Sequence, residues 1–198
     1  MKKILTIVLG LFIAVSAISC SNQTSDGDPY DFFEVTDVTG WDNIDDVWEN
    51  LNSSGVGSWI KGKWNYQYRA VTNYYNSNGD VERVDASAVV NFAGDTSSSS
   101  VTFSNVSDET IFRDPINTLG QFKNNMDSYY SDNVWKDFKS QLTSSGIRIT
   151  SSKNENVWRK VNQSRTKMEF YKSIIISGTD GNQEKTLVVQ MNESFVKQ

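Results

Sequence analysis

The sequence predicts an α+β domain made mainly of antiparallel β-strands, with a short helix before the sheet and a two-helix insert within it. Two observations support this fold class. Apolar and polar residues alternate along several segments bounded by turn residues, which is typical of half-buried strands. Two central segments instead repeat apolar residues every three or four positions, which is typical of amphipathic helices.

A short helix is predicted first, followed by a long strand. The helix has four apolar positions spaced by three and four residues: Ile44, Val47, Trp48 and Leu51. Asp42 or Asn43 can cap its start, because their side-chain oxygens accept hydrogen bonds from free backbone N–H groups. The strand that follows places four residues on one face: Trp64, Tyr66, Tyr68 and Ala70.

Two further strands complete a predicted meander. Asn78-Gly79 indicates a turn, because both residues tolerate positive φ. The next strand has five apolar residues on one face: Val84, Ala86, Ala88, Val90 and Phe92. After a turn at Gly94, a third strand begins near Val101. Three consecutive strands joined by short turns form an antiparallel meander.

A two-helix insert is predicted in the middle of the chain. Asp114-Pro115 is a typical helix start, because proline suits the first helical position. Ile116, Leu119, Phe122, Met126 and Tyr129 then form one apolar face. Ser131 or Asp132 is predicted to start the second helix, and Gly146 to end it. The inward positions of that helix are Val134, Trp135, Phe138 and Leu142.

Strands resume after the insert at Ile147, again near Trp158, and then over residues 166–176. A hairpin turn at residues 179–182 leads into a last strand lined by Leu187 and other apolar residues. Six to seven antiparallel strands result. Such a sheet either closes into a small barrel or stays open with helices across one face, and we expect the barrel-like arrangement.

The first twenty residues predict export. Lys2 and Lys3 precede an apolar stretch that is too short for a good membrane span, as in secretory signals. The segment ends at Cys20, the only cysteine of the chain, and this ending resembles the bacterial lipobox. The resemblance implies cleavage after Ser19 and a diacylglycerol, and hence fatty acids such as palmitate, on Cys20. We therefore expect a lipid anchor in the cell envelope, at the outer membrane or cell surface.

Three segments follow from this interpretation: a cleaved signal peptide (1–19), a lipidated tether (20–40) and a single domain (41–198). Cleavage removes two of the 19 basic residues and none of the 24 acidic ones, which leaves 17 against 24 and a net charge of about −7. Nucleic acid is excluded as a partner, because phosphate binding needs a basic face.

The entry to the first long strand, Gly62-Lys63-Trp64, resembles the Gly-X-Trp motif of lipocalins and calycins. The resemblance implies that Trp64 closes the bottom of a barrel and that Gly62 lets the chain bend. It also implies a pocket for a small apolar ligand. The candidate pocket residues are Trp64, Tyr66, Tyr68 and Phe92, since flat aromatic surfaces suit such ligands.

Catalysis is not expected, and neither is a cofactor or a metal. Histidine is absent and the single cysteine is used for lipid, which excludes Ser-His-Asp and Cys-His catalysis and His-rich zinc sites. Two charged clusters are interpreted as solvated faces of a helix and of a strand. The acidic cluster is Asp42, Asp45, Asp46 and Glu49, and the basic cluster is Arg159, Lys160 and Arg165.

These observations favour a non-enzymatic, membrane-anchored lipoprotein that acts by associating with another protein. An accessory subunit of an exported or surface protease complex is one form of such association. The alternative is a lipocalin-like carrier of a small apolar molecule. A closed apolar cavity would favour the carrier, whereas a filled interior would favour association.

Overall fold

The computed structural model describes residues 35–48, 59–73, 82–94, 99–108, 116–131 and 133–198. The described part contains seven strands of one antiparallel sheet and three helices. In chain order these are β1 (Asp42–Asn43), α1 (Ile44–Trp48), β2 (Gly62–Asn73), β3 (Glu82–Ala93), β4 (Ser100–Ser104), α2 (Leu119–Tyr129), α3 (Val134–Ser144), β5 (Arg148–Val161), β6 (Lys167–Asp180) and β7 (Gln183–Lys197). The predicted class, with its six to seven strands and two-helix insert, is confirmed.

The sheet formed by the described strands is open. Its order is β1-β5-β6-β7-β2-β3-β4, so that β1 and β4 form the two edges. β1 pairs with β5 at only two positions, and β4 has five residues. The expected closure into a barrel is thus not confirmed by the described residues. Helices α2 and α3 cover one face of the sheet instead, which is the arrangement we considered less favourable from the sequence.

We call the side covered by α2 and α3 the helix face, and the opposite side the second face. Alternation along the strands decides which residues lie on each. The predicted inward faces of β2 and β3 are both confirmed, since their alternate apolar residues are buried against the helices. Leu119, Phe122 and Met126 of α2 pack onto this core, and Trp135 and Leu142 of α3 pack onto β6 and β7 nearby.

Helix α2 begins later than predicted. The expected start at Asp114-Pro115 lies outside the described residues, and the helix itself starts at Leu119. Thr118 caps it in a reciprocal arrangement: its hydroxyl accepts a hydrogen bond from the Gln121 backbone N–H (3.2 Å), and the Gln121 side-chain oxygen accepts one from the Thr118 N–H (3.1 Å). Ile116 therefore precedes the helix, although it still packs against the core.

Helix α3 begins at Val134, and its N-cap is Asn133, not the predicted Ser131 or Asp132. Its predicted end is confirmed. Gly146 has a φ of +88°, and its N–H bonds the Thr143 carbonyl, while the Ile147 N–H bonds the Leu142 carbonyl. This left-handed cap suits glycine, because a side chain there would be strained.

The last three strands are long and form the centre of the sheet together with β2. The two segments predicted near Ile147 and Trp158 belong to one strand, β5, whose pairing with β6 is interrupted twice. Such bulges discourage further strand addition at a sheet edge. The predicted hairpin is confirmed: Asp180 pairs with Gln183, and Gly181 at the tip has a φ of +61°. The turn predicted at Asn78-Gly79 lies outside the described residues.

Candidate functional site

The four predicted pocket residues lie together on the helix face, within the core. Trp64, Tyr66, Tyr68 and Phe92 have exposed fractions of 0%, 5%, 5% and 3%. Their rings meet other rings directly. The ring centroids of Trp64 and Phe92 are 6.4 Å apart, and those of Phe92 and Phe122 of α2 are 5.0 Å apart. The ring centroids of Tyr66 and Phe195 of β7 are 4.7 Å apart. These side chains therefore pack against protein on the side where a ligand was expected.

The Gly-Lys-Trp motif forms the first three residues of strand β2. Gly62 has a φ of +111°, a conformation that favours glycine. The indole N–H of Trp64 donates a hydrogen bond to the Ile60 carbonyl (2.8 Å). Lys197 Nζ lies 5.5 Å from the Trp64 ring centroid and donates to the Trp59 carbonyl. The motif thus fixes the start of β2 to the end of β7.

A buried ionisable cluster lies beneath the end of α2. It was not predicted from the sequence. It consists of Glu193, Lys172, Tyr66 and Tyr130. The Glu193 carboxylate accepts hydrogen bonds from the hydroxyls of Tyr66 (2.9 Å) and Tyr130 (2.8 Å). Lys172 Nζ donates to the Tyr129 carbonyl (3.0 Å) and lies 5.2 Å from the Tyr130 ring centroid. Glu193 and Lys172 are only 8% and 6% exposed.

Burial dominates the pKa values of this cluster, because it disfavours the charged form of each group. It raises the pKa of Glu193, although the two tyrosine hydrogen bonds and the Lys172 charge oppose the shift. It lowers the pKa of Lys172 to about 8, against the attraction of the Glu193 carboxylate. The pKa values of Tyr66 and Tyr130 are raised by burial and then by the nearby Glu193 charge.

The geometry gives the cluster a structural consequence. Tyr130 and the Tyr129 carbonyl belong to the end of α2, whereas Glu193 and Lys172 belong to β7 and β6. Polar contacts therefore hold the end of α2 to the sheet within an otherwise aromatic core. A signal was present in the sequence, since Lys172 interrupts the apolar alternation of β6 between Phe170 and Ile174.

The second face carries a row of hydrogen bonds that crosses three strands. Arg69 donates to the Asn192 side-chain oxygen (3.0 Å), and the Asn192 amide donates to the Glu169 carboxylate (2.7 Å). Thr36 donates its hydroxyl to the other Glu169 oxygen (2.8 Å). Burial raises the pKa of Glu169, while the hydrogen bonds from Asn192 and Thr36 oppose this. The described chain thus begins on the second face.

Some buried polar atoms on the second face lack a hydrogen-bond partner in the described structure: Trp158 Nε1, Ser173 Oγ and Gln190 Oε1. Ser173 and Gln190 are paired across β6 and β7. The Trp158 ring stacks on Tyr171, with ring centroids 4.1 Å apart. A buried polar atom without a partner is costly. The indole N–H of Trp135, in the core under α3, also lacks one.

An open groove of about 420 Å³ runs over β7, β2 and β3 on the second face. The residues lining it are Asn65, Gln67, Ser87, Val89, Asn105, Ser194 and Val196, together with Tyr66 and Ala88, which belong to the core. Val196 is 40% exposed, and among the described residues it is the one large apolar side chain that is exposed. The lining is uncharged and rich in amides and hydroxyls, and it offers both donors and acceptors.

Two members of each predicted charged cluster pair with the other cluster. Arg159 forms ion pairs with Asp45 of α1 and Asp127 of α2, and Arg165 pairs with Asp42 of β1. The interpretation of these two arginines as part of a solvated strand face was therefore wrong: Arg159 connects α1 and α2 to β5, and Arg165 connects β1 to the turn between β5 and β6. Glu49 lies outside the described residues. Within the described ranges, no group of three or more acidic or cysteine ligands could hold a metal ion.

Cys20 and the whole predicted signal segment lie outside the described residues. The helices in the part of the chain that is described are all too short or too polar to cross a membrane. No protein-family model, curated protein or solved structure matches this chain.

Proposed function

We propose that this chain is an envelope lipoprotein, anchored by lipid on Cys20, whose folded domain acts without catalysis by binding another protein. The observation that carries this proposal is the packing of the predicted pocket residues. Trp64, Tyr66, Tyr68 and Phe92 contact neighbouring rings within the core and are at most 5% exposed. A ligand in their place would have to displace side chains of α2 such as Phe122.

The buried ionisable cluster supports a non-enzymatic role. A general acid or base must lie within hydrogen-bond reach of a substrate. Glu193 instead uses both carboxylate oxygens for tyrosine hydroxyls, and Lys172 donates to a backbone carbonyl. These groups are engaged in holding the end of α2 to the sheet. We therefore assign the function to the outer surface of the domain.

The anchor is supported by the sequence alone. The lipobox-like ending at Cys20 would place the domain at the outer membrane or cell surface, and residues 21–29 are polar as in a tether. An accessory subunit of an exported or surface protease complex fits this placement. In such a complex the partner would supply the catalytic groups.

The proposal is tested by labelling cells with a palmitate analogue and capturing the lipidated protein from its own membrane. We expect label on the wild type, none on Cys20→Ala, and a stoichiometric polypeptide partner in the captured material. Release of the Cys20→Ala domain from membranes is the matched control. A wild-type chain without label contradicts the anchor. A bound small apolar molecule without a polypeptide partner contradicts association and favours the carrier.

A further inference from the structure

We propose that one end of the second face, which we call the lysine end, docks on anionic phospholipid headgroups. It is formed by Lys61, Lys63, Lys160 and Lys167. This inference rests on the proposed lipid anchor, because the tether would hold the domain at a membrane surface. The lysine end is then the side of the domain that contacts that surface.

Strand register places these lysines at the same end of the sheet. Asn65 of β2 pairs with Val196 of β7, which pairs with Lys167 at the start of β6. Lys63 lies two residues before Asn65 on the same face of β2. Lys160 pairs with Glu169, two residues beyond Lys167. Lys61 directly precedes β2 and is exposed.

These lysines differ from others in the described part of the chain. Lys123, Lys139 and Lys185 form ion pairs with acidic residues. The side-chain amines of these four lysines take part in none of the ion pairs or hydrogen bonds found among the described residues. Burial raises the pKa of the nearby Glu169, and the Lys167 charge is one of the influences that oppose this shift. Lys61, Lys63 and Lys167 are exposed and Lys160 is half-buried, so their charges can still meet an external anion. A cluster of lysines next to a membrane anchor is a typical means of binding acidic lipids.

Three acidic residues of the described part lie near this end, and two of them, Glu169 and Asp42, are engaged by other side chains. Glu169 is 6% exposed and accepts hydrogen bonds from Thr36 and Asn192. Asp42 is paired with Arg165. Asp37 is exposed and accepts a hydrogen bond from the Thr39 backbone N–H. The lysine end is thus basic on a chain with an overall negative charge, and the exposed Val196 lies in its middle.

The entry point of the chain supports a membrane as the occupant. Thr36 bonds Glu169 beside Lys160, and the Gly40 carbonyl accepts a hydrogen bond from Gln163 (3.4 Å). Cys20 and Val35 are fifteen positions apart in the sequence, which spans at most about 50 Å when fully extended. An anchored lipid would therefore keep headgroups at high effective concentration around the domain, where the lysine end can bind them. The β6–β7 turn at Gly181, at the other end of the sheet, would then face away from the membrane, towards a partner.

The test uses the mature chain, residues 20–198, carrying Cys20→Ala, so that only the folded surface can bind. It is sedimented with vesicles of phosphatidylglycerol and phosphatidylcholine, or of phosphatidylcholine alone, at low salt. We expect binding to the anionic vesicles only, and weakening by added salt. The double variant Lys63→Glu, Lys167→Glu should bind at least roughly 25-fold more weakly, since each lysine near an anionic surface contributes about fivefold.

The matched control is Lys136→Glu, an exposed lysine on α3 at the helix side. It should bind as the parent does, which separates the lysine end from the total charge. Equal binding to neutral vesicles, an unaffected double variant, or an equal loss in the control would each overturn the proposal. So would a double variant that binds vesicles normally but loses a polypeptide partner, because the lysines would then contact protein. Since no lipid is attached to this chain, failure here leaves the palmitate result standing, and the reverse also holds.

Discussion

The two faces of the sheet are built from the same strands but use their side chains differently. On β2, Trp64 points to the helix face and is completely buried, whereas the next residue, Asn65, is exposed on the second face. On β6, Phe170 and Ile174 lie in the core, whereas Ser173 on the second face lacks a hydrogen-bond partner. The helix face is thus an almost entirely apolar and aromatic core. The second face is also buried along β6 and β7, where Ile175 and Val188 are at most 3% exposed, but it buries several polar side chains there and becomes exposed towards β2.

The largest difference between the faces should appear in paired substitutions on β2. Trp64→Ala should lower the free energy of unfolding by about 3–5 kcal/mol, because it leaves a cavity in the core. Asn65→Ala should change it by less than about 0.5 kcal/mol, as expected for an exposed residue. Urea denaturation followed by fluorescence measures both. Similar losses for the two variants would contradict the assignment of the faces.

Substitutions in the buried ionisable cluster should cause the next largest loss of stability. Glu193→Ala should lower the free energy of unfolding by about 3 kcal/mol, because the hydroxyls of Tyr66 and Tyr130 lose their acceptor while remaining buried. Glu193→Gln retains one acceptor oxygen and should lose less. Thermal denaturation at neutral pH distinguishes the two. If Glu193→Ala were as stable as the wild type, the cluster would not hold α2 in place.

Lys172 should give the stability a distinct pH dependence. Burial lowers its pKa from 10.5 to about 8, so that the folded protein releases a proton in a range where the unfolded chain keeps it. The free energy of unfolding should therefore rise between pH 8 and 10, by roughly 2 kcal/mol relative to Lys172→Met. Tyr66 and Tyr130 oppose this only above pH 10, because their folded pKa values are raised. An identical pH profile for Lys172→Met would contradict the assignment.

The smallest expected effect concerns two serines on the same face of β6. Ser173→Ala should raise the free energy of unfolding by up to about 1 kcal/mol, because it removes a buried hydroxyl without a partner. Ser177 is the matched control, since its hydroxyl lies within hydrogen-bonding distance of the Thr186 hydroxyl (3.4 Å). Ser177→Ala should not be stabilising. Loss of stability in Ser173→Ala would mean that its hydroxyl has a partner after all.

The sequence predicted much of the fold because its main signals are local. Alternation over β2 and β3, the hairpin at Gly181 and the glycine cap at Gly146 all depend on neighbouring residues, and all are found. The predicted start of α2 was wrong because the sequence offers two acceptable helix starts, one at Asp114-Pro115 and one at Thr118 with Gln121. Only the structure shows that the second of these is used.

The candidate site could be predicted only in part. Trp64, Tyr66, Tyr68 and Phe92 were correctly grouped on one face, but alternation does not tell whether that face holds a ligand or a helix. Glu193 and Lys172 lie far apart from Tyr130 in the chain, and their contacts depend on strand order. The pairing of Arg159 with Asp45 and Asp127 likewise joins distant segments. The local sequence does not show which distant residues meet, although the position of Lys172 between Phe170 and Ile174 indicates a charge on an apolar strand face.

Native mass spectrometry of the protein extracted from its own membrane tests the central claim most directly. We expect the mass of residues 20–198 plus a diacylglycerol and fatty acid on Cys20, in a complex with another polypeptide of fixed stoichiometry. No small molecule should be retained inside the domain. A chain of unmodified mass, or a single chain that retains an apolar molecule and no polypeptide, would contradict the claim.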